Sequence, residues 1–291
     1  MDRITLAAPA KINLSLRILS RRPDGFHELE TLMAPITLND EVEIMHGIGQ
    51  GIEFTCNDPD LPTGSENLCV KAAEAFRKAT GLEDGMAITL MKRIPHGSGL
   101  GGGSSNAATV LRGLNELFDY PLVSEELHQI SASLGSDVTF FLNDGPAWCR
   151  GRGEILEITE SLPQRRMLLI KPPFPVPTAW AYQRYAERKQ SSVRPDQQEV
   201  QWLEEIKLVN DLEPPVFEKF LLLPVIKNWL RQQPGVESAL MTGSGSTMVA
   251  IMMPDSKPEN IAALKEQFDQ NFGPTFWSCE VEFLKHQSAL C

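Results

Sequence analysis

The first half of the chain combines segments that have the two-residue period of strands with segments that have the period of helices. Apolar and polar residues alternate over residues 4–19, and a Pro-Ala pair inside this run predicts two strand segments with a kink or bulge between them. Residues 67–81 have apolar positions three and four apart, and Gly81 stands where a helix would end. Further strands are predicted at 40–46, 51–56, 86–95, 137–142 and 146–158, and further helices at 104–118 and, capped by Ser124, at 124–135.

The second half begins with an apolar strand at 167–172 and a segment with four prolines in residues 172–178, which predicts a rigid loop. Pro224 is expected to break or kink a helix over 214–233. The remaining predictions are helices at 178–189 and 258–270, a strand–turn–strand unit at 237–252 and a last strand at 277–285. Helices on mixed strands predict an α+β protein with two lobes, which we place at residues 1–160 and 161–291.

Composition and charge argue against several classes of binding partner. The 27 basic and 38 acidic residues give a net charge of −11, which argues against nucleic acid as a partner. No apolar run approaches the roughly 20 residues that span a bilayer, and the N-terminus lacks a signal-peptide pattern. We therefore expect a cytoplasmic protein that binds small molecules and neither membranes nor nucleic acid.

The five cysteines are scattered and form no C-x-x-C pair. An odd number at such spacing predicts neither a disulfide framework nor a zinc site, and it is typical of thiols in a reducing cytosol. We expect no side-chain metal site. The cysteines are Cys56, Cys69, Cys149, Cys279 and Cys291.

Residues 94–106, with the sequence IPHGSGLGGGSSN, place a glycine-dense loop between a predicted strand and a predicted helix. A Walker A loop is excluded because no lysine follows the glycines. Gly97, Gly99 and Gly102 fit the dinucleotide pattern G-x-G-x-x-G, although the loop lies far from the start of its domain and no acid ends a following strand. The third interpretation is a cradle for a nucleotide triphosphate, built from loop amides and the helix N-terminus, with Ser104 and Ser105 as hydroxyl donors or contacts to a metal ion.

Two charged residues elsewhere are candidates for catalysis. Lys11 stands between apolar residues of the first strand, although a strand lysine commonly faces solvent. Asp137 follows a helix-ending Gly-Ser and precedes an apolar run, a position at which aspartate is also a common turn or capping residue.

Five motifs occur in a fixed order along the chain, and together they resemble those of the GHMP kinase superfamily. They are PAKINL, DGFHELET, PHGSGLGGGSSNA, LGSDV and MTGSGS. The resemblance runs from the N-terminus to about residue 250. It implies a two-lobed fold, with an N-terminal lobe like ribosomal protein S5 domain 2 that binds ATP and a ferredoxin-like C-terminal lobe that binds substrate.

The resemblance also assigns roles to individual residues. It implies Lys11 and Asp137 as the catalytic pair and residues 242–246 as a support for the phosphate loop. The residues implied for ATP are Asn67 and Lys92 near adenine and, around the phosphates, Pro95, His96, Gly97, Ser98, Gly99, Leu100, Gly101, Gly102, Gly103, Ser104 and Ser105. The residues implied for a cytidine-bearing acceptor are Asn13, Phe26, His27, Thr178 and Tyr182.

The activity implied is transfer of a phosphoryl group from ATP, with Mg²⁺, to an alcohol of a cytidine diphosphate compound in isoprenoid synthesis. Asp137 would take the proton of the alcohol, and Lys11 would keep that carboxylate ionised. Three alternatives stay open: a homoserine-type or mevalonate-type kinase, a nucleotide-binding regulator without catalysis, and a dinucleotide-dependent dehydrogenase. Monomer and homodimer also stay open.

The chain departs from the superfamily pattern at four positions, none of which touches the implied chemistry directly. Phe26 replaces a frequent tyrosine, Ser136 an alanine, Thr139 a proline and Met241 a glycine. Stacking survives at Phe26 but a hydroxyl hydrogen bond does not, so these departures concern the fine geometry of the site.

Overall fold

The computed structural model describes residues 2–159, 162–190 and 200–284. The predicted boundary between lobes at residues 160 and 161 lies outside this part of the chain, as does Cys291. The helices of the described part are α1 (Leu68–Thr80), α2 (Gly102–Leu117), α3 (Ser124–Leu134), α4 (Ser136–Phe140), α5 (Thr178–Gln190), α6 (Glu213–Phe217), α7 (Leu222–Arg231) and α8 (Pro258–Phe272). The strands are β1 (Arg3–Arg21), β2 (His27–Gln50), β3 (Ile52–Cys56), β4 (Asp84–Met91), β5 (Ala147–Gly151), β6 (Ile155–Ile158), β7 (Arg166–Lys171), β8 (Gln201–Leu203), β9 (Ile206–Asn210), β10 (Val236–Met241), β11 (Met248–Met252) and β12 (Trp277–Glu282).

The first sheet has the strand order β3-β4-β2-β1-β9-β8, and β5 and β6 are added beside β2. Its centre is the long antiparallel pair of β1 and β2. The predicted interruption in the first strand is confirmed, because the pairing register shifts between Pro9 and Lys11 within one continuous strand. The two short strands β8 and β9 were not predicted; they come from the second half of the sequence yet extend this sheet through β1.

The second sheet has the order β10-β11-β7-β12, and all its strands are antiparallel. With the helices between them, these strands form a β-α-β-β-α-β unit, the arrangement expected of a ferredoxin-like lobe. The predicted strand–turn–strand unit is the hairpin of β10 and β11.

The two sheets pack face to face, and helices cover both outer faces. Ile12 and Leu32 of the first sheet share one core cluster with Leu169 and Val249 of the second. Alternate residues of a strand point to opposite faces, so Leu168 and Ile170 pack instead against α7 and α8. Helices α1 and α2 cover the other face of the first sheet.

The predicted strand at 137–142 is wrong. Residues Ser136–Phe140 form the short helix α4, and Asp137 lies in its first turn. An acidic residue is favourable there because it faces the positive end of the helix dipole. The apolar run misled the prediction because a short buried run has no period that separates helix from strand.

Three boundaries also differ from the predictions. The strand predicted to end at Pro95 ends at Met91, because the Lys92 N–H donates to Asn57 Oδ1 and the next two amides donate to a buried carboxylate described below. Val123, and not Ser124, holds the cap position of α3, and its N–H donates to the Glu126 carboxylate. The helix predicted at 214–233 is two helices that separate before Pro224, which lies in the first turn of α7, where its missing N–H costs nothing.

Candidate active site

The polar residues of the PAKINL motif lie on one face of β1, opposite to its apolar core residues. Lys11 is 4% exposed and Asn13 3%, so neither faces solvent. The Lys11 ammonium donates to Asn13 Oδ1 at 2.6 Å and to the Gly99 carbonyl at 3.3 Å. Asn13 in turn donates from Nδ2 to Thr31 Oγ1 at 2.8 Å. A strand lysine that is buried and fixed in this way is a functional candidate, because burial of a charge is costly.

The glycine loop runs from the end of β4 to the N-terminus of α2 and rests on the turn between β10 and β11. Gly99 has a φ of +79°, and a Cβ at this position would lie 2.6 Å from the Thr242 carbonyl. Thr242 Oγ1 also accepts the Asn13 backbone N–H at 2.9 Å. The structure thus brings residues 242–246 under the loop, where the resemblance placed them.

The same loop approaches two lysines closely. A Cβ at Gly101, whose φ is +73°, would lie 3.0 Å from Lys11 Cε, and one at Gly102 would lie 3.0 Å from Lys92 Nζ. The first turn of α2 therefore presents free amides beside two ammonium groups, an arrangement that attracts phosphate. Ser105 Oγ is buried there without a hydrogen-bond partner in the described part of the chain.

Asp137 lies opposite Lys11, across the opening of this loop. Its Oδ2 is 3.5 Å from Lys11 Nζ, and its side chain is 39% exposed while that of Lys11 is 5% exposed. Gly135 ends α3 and α4 starts directly after it, which places the carboxylate at a helix N-terminus. The pair therefore combines a fixed buried cation with an accessible carboxylate.

A cavity of about 430 Å³ contains most of the residues predicted for ATP and for catalysis. Leu100 and Ser105 are fully buried behind the loop and do not line it. The predicted residues that line the cavity are Lys11, Asn13, Asn67, Lys92, Pro95, His96, Gly97, Ser98, Gly99, Gly101, Gly102, Gly103, Ser104, Asp137, Thr178 and Tyr182.

A second cavity of about 750 Å³ adjoins the first and contains Phe26 and His27. The two cavities meet at Asp137, so a group in either one has access to this carboxylate. The residues that line both are Leu29, Ser104, Asp137, Arg152, Thr178 and Tyr182.

Aromatic rings form one wall of the second cavity. The His27 and Tyr182 rings are stacked, with centroids 5.6 Å apart, and Phe26 is 51% exposed. Burial lowers the pKa of His27, with Arg21 and Lys189 acting in the same direction, so the ring is neutral at pH 7. Burial and the nearby Asp137 raise the pKa of Tyr182 well above its ordinary value.

The side chains predicted near adenine have structural partners as well. Asn67 caps α1 by accepting the Cys69 N–H at 2.8 Å, and its Nδ2 donates to the Pro62 carbonyl. Lys92 donates to Asp40 Oδ2 at 2.5 Å and to Asn106 Oδ1 at 3.3 Å. Both line the first cavity, and their contact with a nucleotide stays a prediction.

Asp40 was missed in the sequence because it is the first residue of a predicted strand and has no motif around it. It is fully buried and accepts hydrogen bonds from Lys92, from Asn106 and from the amides of Arg93 and Ile94. Through these bonds it joins β2 to the start of the glycine loop and to α2. Arg152 was also missed, and only the fold brings it to the junction of the two cavities.

The described residues contain no group of three or more His, Cys, Asp or Glu side chains that could hold a metal ion. Among their helices, none has the length and apolar character needed to cross a bilayer.

Two family models match this chain. The GHMP kinases N terminal domain matches residues 67–145, which include the glycine loop and Asp137. The GHMP kinases C terminal domain matches residues 193–272, which include the β10–β11 turn. Together the two matches cover more than half of the chain.

Individual proteins agree with the family models. A 4-diphosphocytidyl-2-C-methyl-D-erythritol kinase of Methylacidiphilum infernorum (isolate V4) is 46% identical over 96% of this chain and 96% of its own length. A crystal structure of a 4-(cytidine 5'-diphospho)-2C-methyl-D-erythritol kinase is 33% identical with a TM-score of 0.78, covering 97% of this chain and all of that one. A homoserine kinase from Cytophaga hutchinsonii is similar in fold alone, at 21% identity and a TM-score of 0.68, covering 99% of this chain and 96% of that one.

Proposed function

Because this chain belongs to the GHMP kinases, and within them to the 4-diphosphocytidyl-2-C-methyl-D-erythritol kinases, we propose that it phosphorylates the 2-hydroxyl of 4-diphosphocytidyl-2-C-methyl-D-erythritol with ATP. The chain is a small-molecule kinase, and its reaction belongs to the non-mevalonate isoprenoid pathway. The observation that carries the proposal is that Lys11 and Asp137 face each other where two cavities meet. One cavity suits a triphosphate, and the other has aromatic walls that suit a base.

We assign the first cavity to ATP. The loop amides and the N-terminus of α2 would hold the β- and γ-phosphates, and Lys11 and Lys92 lie within reach of that charge. The glycines fit this role because any Cβ at Gly101 or Gly102 would collide with a lysine side chain or with the surrounding apolar residues. The Ser104 hydroxyl lines the same cavity and can add a further donor.

We assign a Mg²⁺ ion to the phosphate oxygens of ATP. When bound, it would neutralise charge on the β- and γ-phosphates. The protein donors that fit this role are few: the side-chain oxygen groups that line both cavities are the Asp137 carboxylate and the hydroxyls of Ser104, Thr178 and Tyr182. This set suits an ion that keeps most of its ligands from ATP and water.

In the proposed reaction, Asp137 accepts the proton of the 2-hydroxyl as its oxygen attacks the γ-phosphorus. The Lys11 ammonium stabilises the charge on the carboxylate and on the transferring group. Lys11 holds its position because Asn13 and the Gly99 carbonyl fix its ammonium. Catalysis of phosphoryl transfer consists mainly of such positioning and of charge stabilisation.

We assign the second cavity to the cytidine end of the acceptor, with Phe26, His27 and Tyr182 around the base and Asn13 and Thr178 nearer to the reacting end. Stacking suits an aromatic wall, and the neutral His27 ring can donate one hydrogen bond and accept another. We also propose a cytoplasmic location, because ATP is the donor.

The test is an ADP-release assay with 4-diphosphocytidyl-2-C-methyl-D-erythritol, homoserine and mevalonate as separate acceptors. We expect turnover with the cytidine compound alone, and inhibition by free CMP that competes with this acceptor. Turnover with homoserine or mevalonate would contradict the substrate assignment. Absence of turnover with all three, in a protein that binds ATP, would support the inactive regulator instead.

A further inference from the structure

We propose that the Arg152 guanidinium binds the diphosphate of the acceptor, between the base site at Phe26 and the catalytic pair of Lys11 and Asp137. This inference rests on the proposed function, because it uses the assignment of the second cavity to a cytidine diphosphate compound. It adds a charged contact that neither the sequence motifs nor the comparisons assign.

The turn that carries Arg152 is fixed next to the catalytic carboxylate. Arg152 follows β5, and its backbone N–H donates to Glu154 Oε2 at 2.6 Å. A Cβ at Gly153 would lie 3.2 Å from Ser136 Cβ, so this turn packs against the start of α4, one residue before Asp137. Arg152 lines both cavities.

The Arg152 guanidinium lies over the Phe26 ring and has no hydrogen bond to another described residue. Its Cζ lies 3.9 Å from the centroid of the Phe26 ring. Among the described residues its side chain has no hydrogen bond and no ion pair, whereas Arg150, two positions earlier, pairs with Glu30 and Glu157. A cation–π contact uses the face of the guanidinium, and all five N–H donors point outward in its plane. The group is therefore positioned and still free to bind an anion with two parallel hydrogen bonds.

The chemistry of the acceptor places its diphosphate at this point. The compound is linear: the base is at one end, the polyol is at the other, and the diphosphate joins them. If the base lies at Phe26 and the reacting hydroxyl at Asp137, the diphosphate spans the distance between these two residues. Arg152 contacts the Phe26 ring and lines the same cavities as Asp137.

The charges in the second cavity also indicate Arg152 as the residue that binds the diphosphate. A diphosphate enters a cavity that already contains the Asp137 carboxylate, so a cation is needed nearby to offset the repulsion. The arginines that line the second cavity are Arg21 and Arg152. Arg21 is exposed, whereas Arg152 is half-buried and also lines the nucleotide cavity. Partial burial strengthens a charge-assisted hydrogen bond relative to one in water.

The experiment compares the binding of CDP and of cytidine by calorimetry, with saturating ADP present to fill the nucleotide cavity. Wild type, Arg152→Met, Arg152→Lys and the matched control Arg150→Met are measured. We expect wild type to bind CDP more tightly than cytidine. In Arg152→Met the affinity for CDP should fall by about tenfold or more while that for cytidine changes by less than about threefold, because only the phosphate contacts are lost. Arg152→Lys should recover part of the loss, and Arg150→Met should behave as wild type.

Steady-state kinetics supply the second readout. The KM for the acceptor should rise in Arg152→Met while the KM for ATP stays within about twofold, because the nucleotide phosphates are held by the glycine loop. Equal losses for CDP and cytidine would mean that Arg152 only supports the base site, and this result would overturn the inference while the proposed function stands. A wild type that binds neither ligand and releases no ADP with the acceptor would overturn both. If Arg152→Met unfolds at a lower temperature than wild type, the inference is tested with Arg152→Lys instead. A ratio of CDP affinity to cytidine affinity that is the same in Arg152→Lys as in wild type would contradict bidentate binding.

Discussion

Lys11 Nζ lies 3.5 Å from Asp137 Oδ2, and these two residues come from the first strand of the chain and from a helix that begins 125 positions later. Lys11 is buried and held by two further acceptors, and Asp137 is partly exposed at the junction of the two cavities. This asymmetry separates the roles of the pair: the lysine is a fixed charge, and the carboxylate is the group that a substrate can reach.

The first prediction concerns Asp137 as the base. Asp137→Ala should fold, bind ATP with nearly the affinity of wild type, and have a kcat lower by about 100- to 10,000-fold, the usual contribution of a general base. Asp137→Asn, which keeps the size of the side chain, should be impaired to a similar degree. ADP release and nucleotide binding measure the two properties, and turnover close to wild type in either variant would remove Asp137 as the base.

The second prediction concerns the aromatic wall. Phe26→Ala and Tyr182→Ala should each raise the KM for the cytidine substrate by about tenfold, since stacking of one base on an aromatic ring is worth about 1–3 kcal/mol. The KM for ATP should stay nearly unchanged. Trp202→Ala is the control, because Trp202 is exposed and lines neither cavity. Equal changes in both KM values would argue against stacking.

The third prediction concerns the buried Asp40. Asp40→Asn leaves the Lys92 ammonium without its charged partner, and a broken buried ion pair costs about 3–5 kcal/mol of the free energy of unfolding. The thermal midpoint should therefore fall, and the KM for ATP should rise because the loop loses its attachment to β2. Asp255→Asn, at an exposed position, should do neither. A stable Asp40→Asn protein with normal ATP kinetics would show that this network is dispensable.

The fourth prediction concerns the contact between the glycine loop and the β10–β11 turn. Gly99→Ala forces a left-handed backbone on a residue with a Cβ and places this atom 2.6 Å from the Thr242 carbonyl. We expect a loss of roughly 1–3 kcal/mol of unfolding free energy, measured by denaturant titration. Gly103→Ala is the comparison for stability, because its Cβ would lie 3.7 Å from the nearest atom. Equal stability of the two variants would contradict the close packing of these loops.

The fifth prediction follows from the lowered pKa of His27. Well above pH 6.5 the ring is neutral in both the folded and the unfolded chain and contributes no pH dependence. As the pH falls below 6.5, the unfolded chain takes up the proton first, so the folded state loses stability until the pH is below the folded pKa. The thermal midpoint should therefore fall less steeply between pH 7 and pH 5 in His27→Gln than in wild type. Equal slopes of the thermal midpoint against pH in the two proteins would show that folding does not lower the pKa of this ring.

The sequence by itself determined the parts of this protein that depend on local order. The period of the apolar residues predicted α1, α2 and the helix at the start of the second lobe, and Gly81 does end α1 in a left-handed conformation. The motif series predicted the GHMP kinase fold, which the comparisons confirm, because each motif is a short stretch of loop or strand whose chemistry can be read in place. The glycine loop and the pair of Lys11 and Asp137 could be singled out for the same reason.

Only the tertiary structure determined the features that depend on contacts between residues far apart in the sequence. The apolar run after Asp137 folds as a helix because burial, and not periodicity, sets its conformation. Strands β8 and β9 join the first sheet because β1 offers them a free edge, and no local pattern encodes that pairing. Asp40 and Arg152 belong to no motif. The hydrogen bonds of the Asp40 carboxylate come from amides and an ammonium that the fold brings to it, and the position of the Arg152 guanidinium depends on the Phe26 ring beneath it. Such residues owe their function to neighbours far away in the chain, and these neighbours exist only once the sheets have packed.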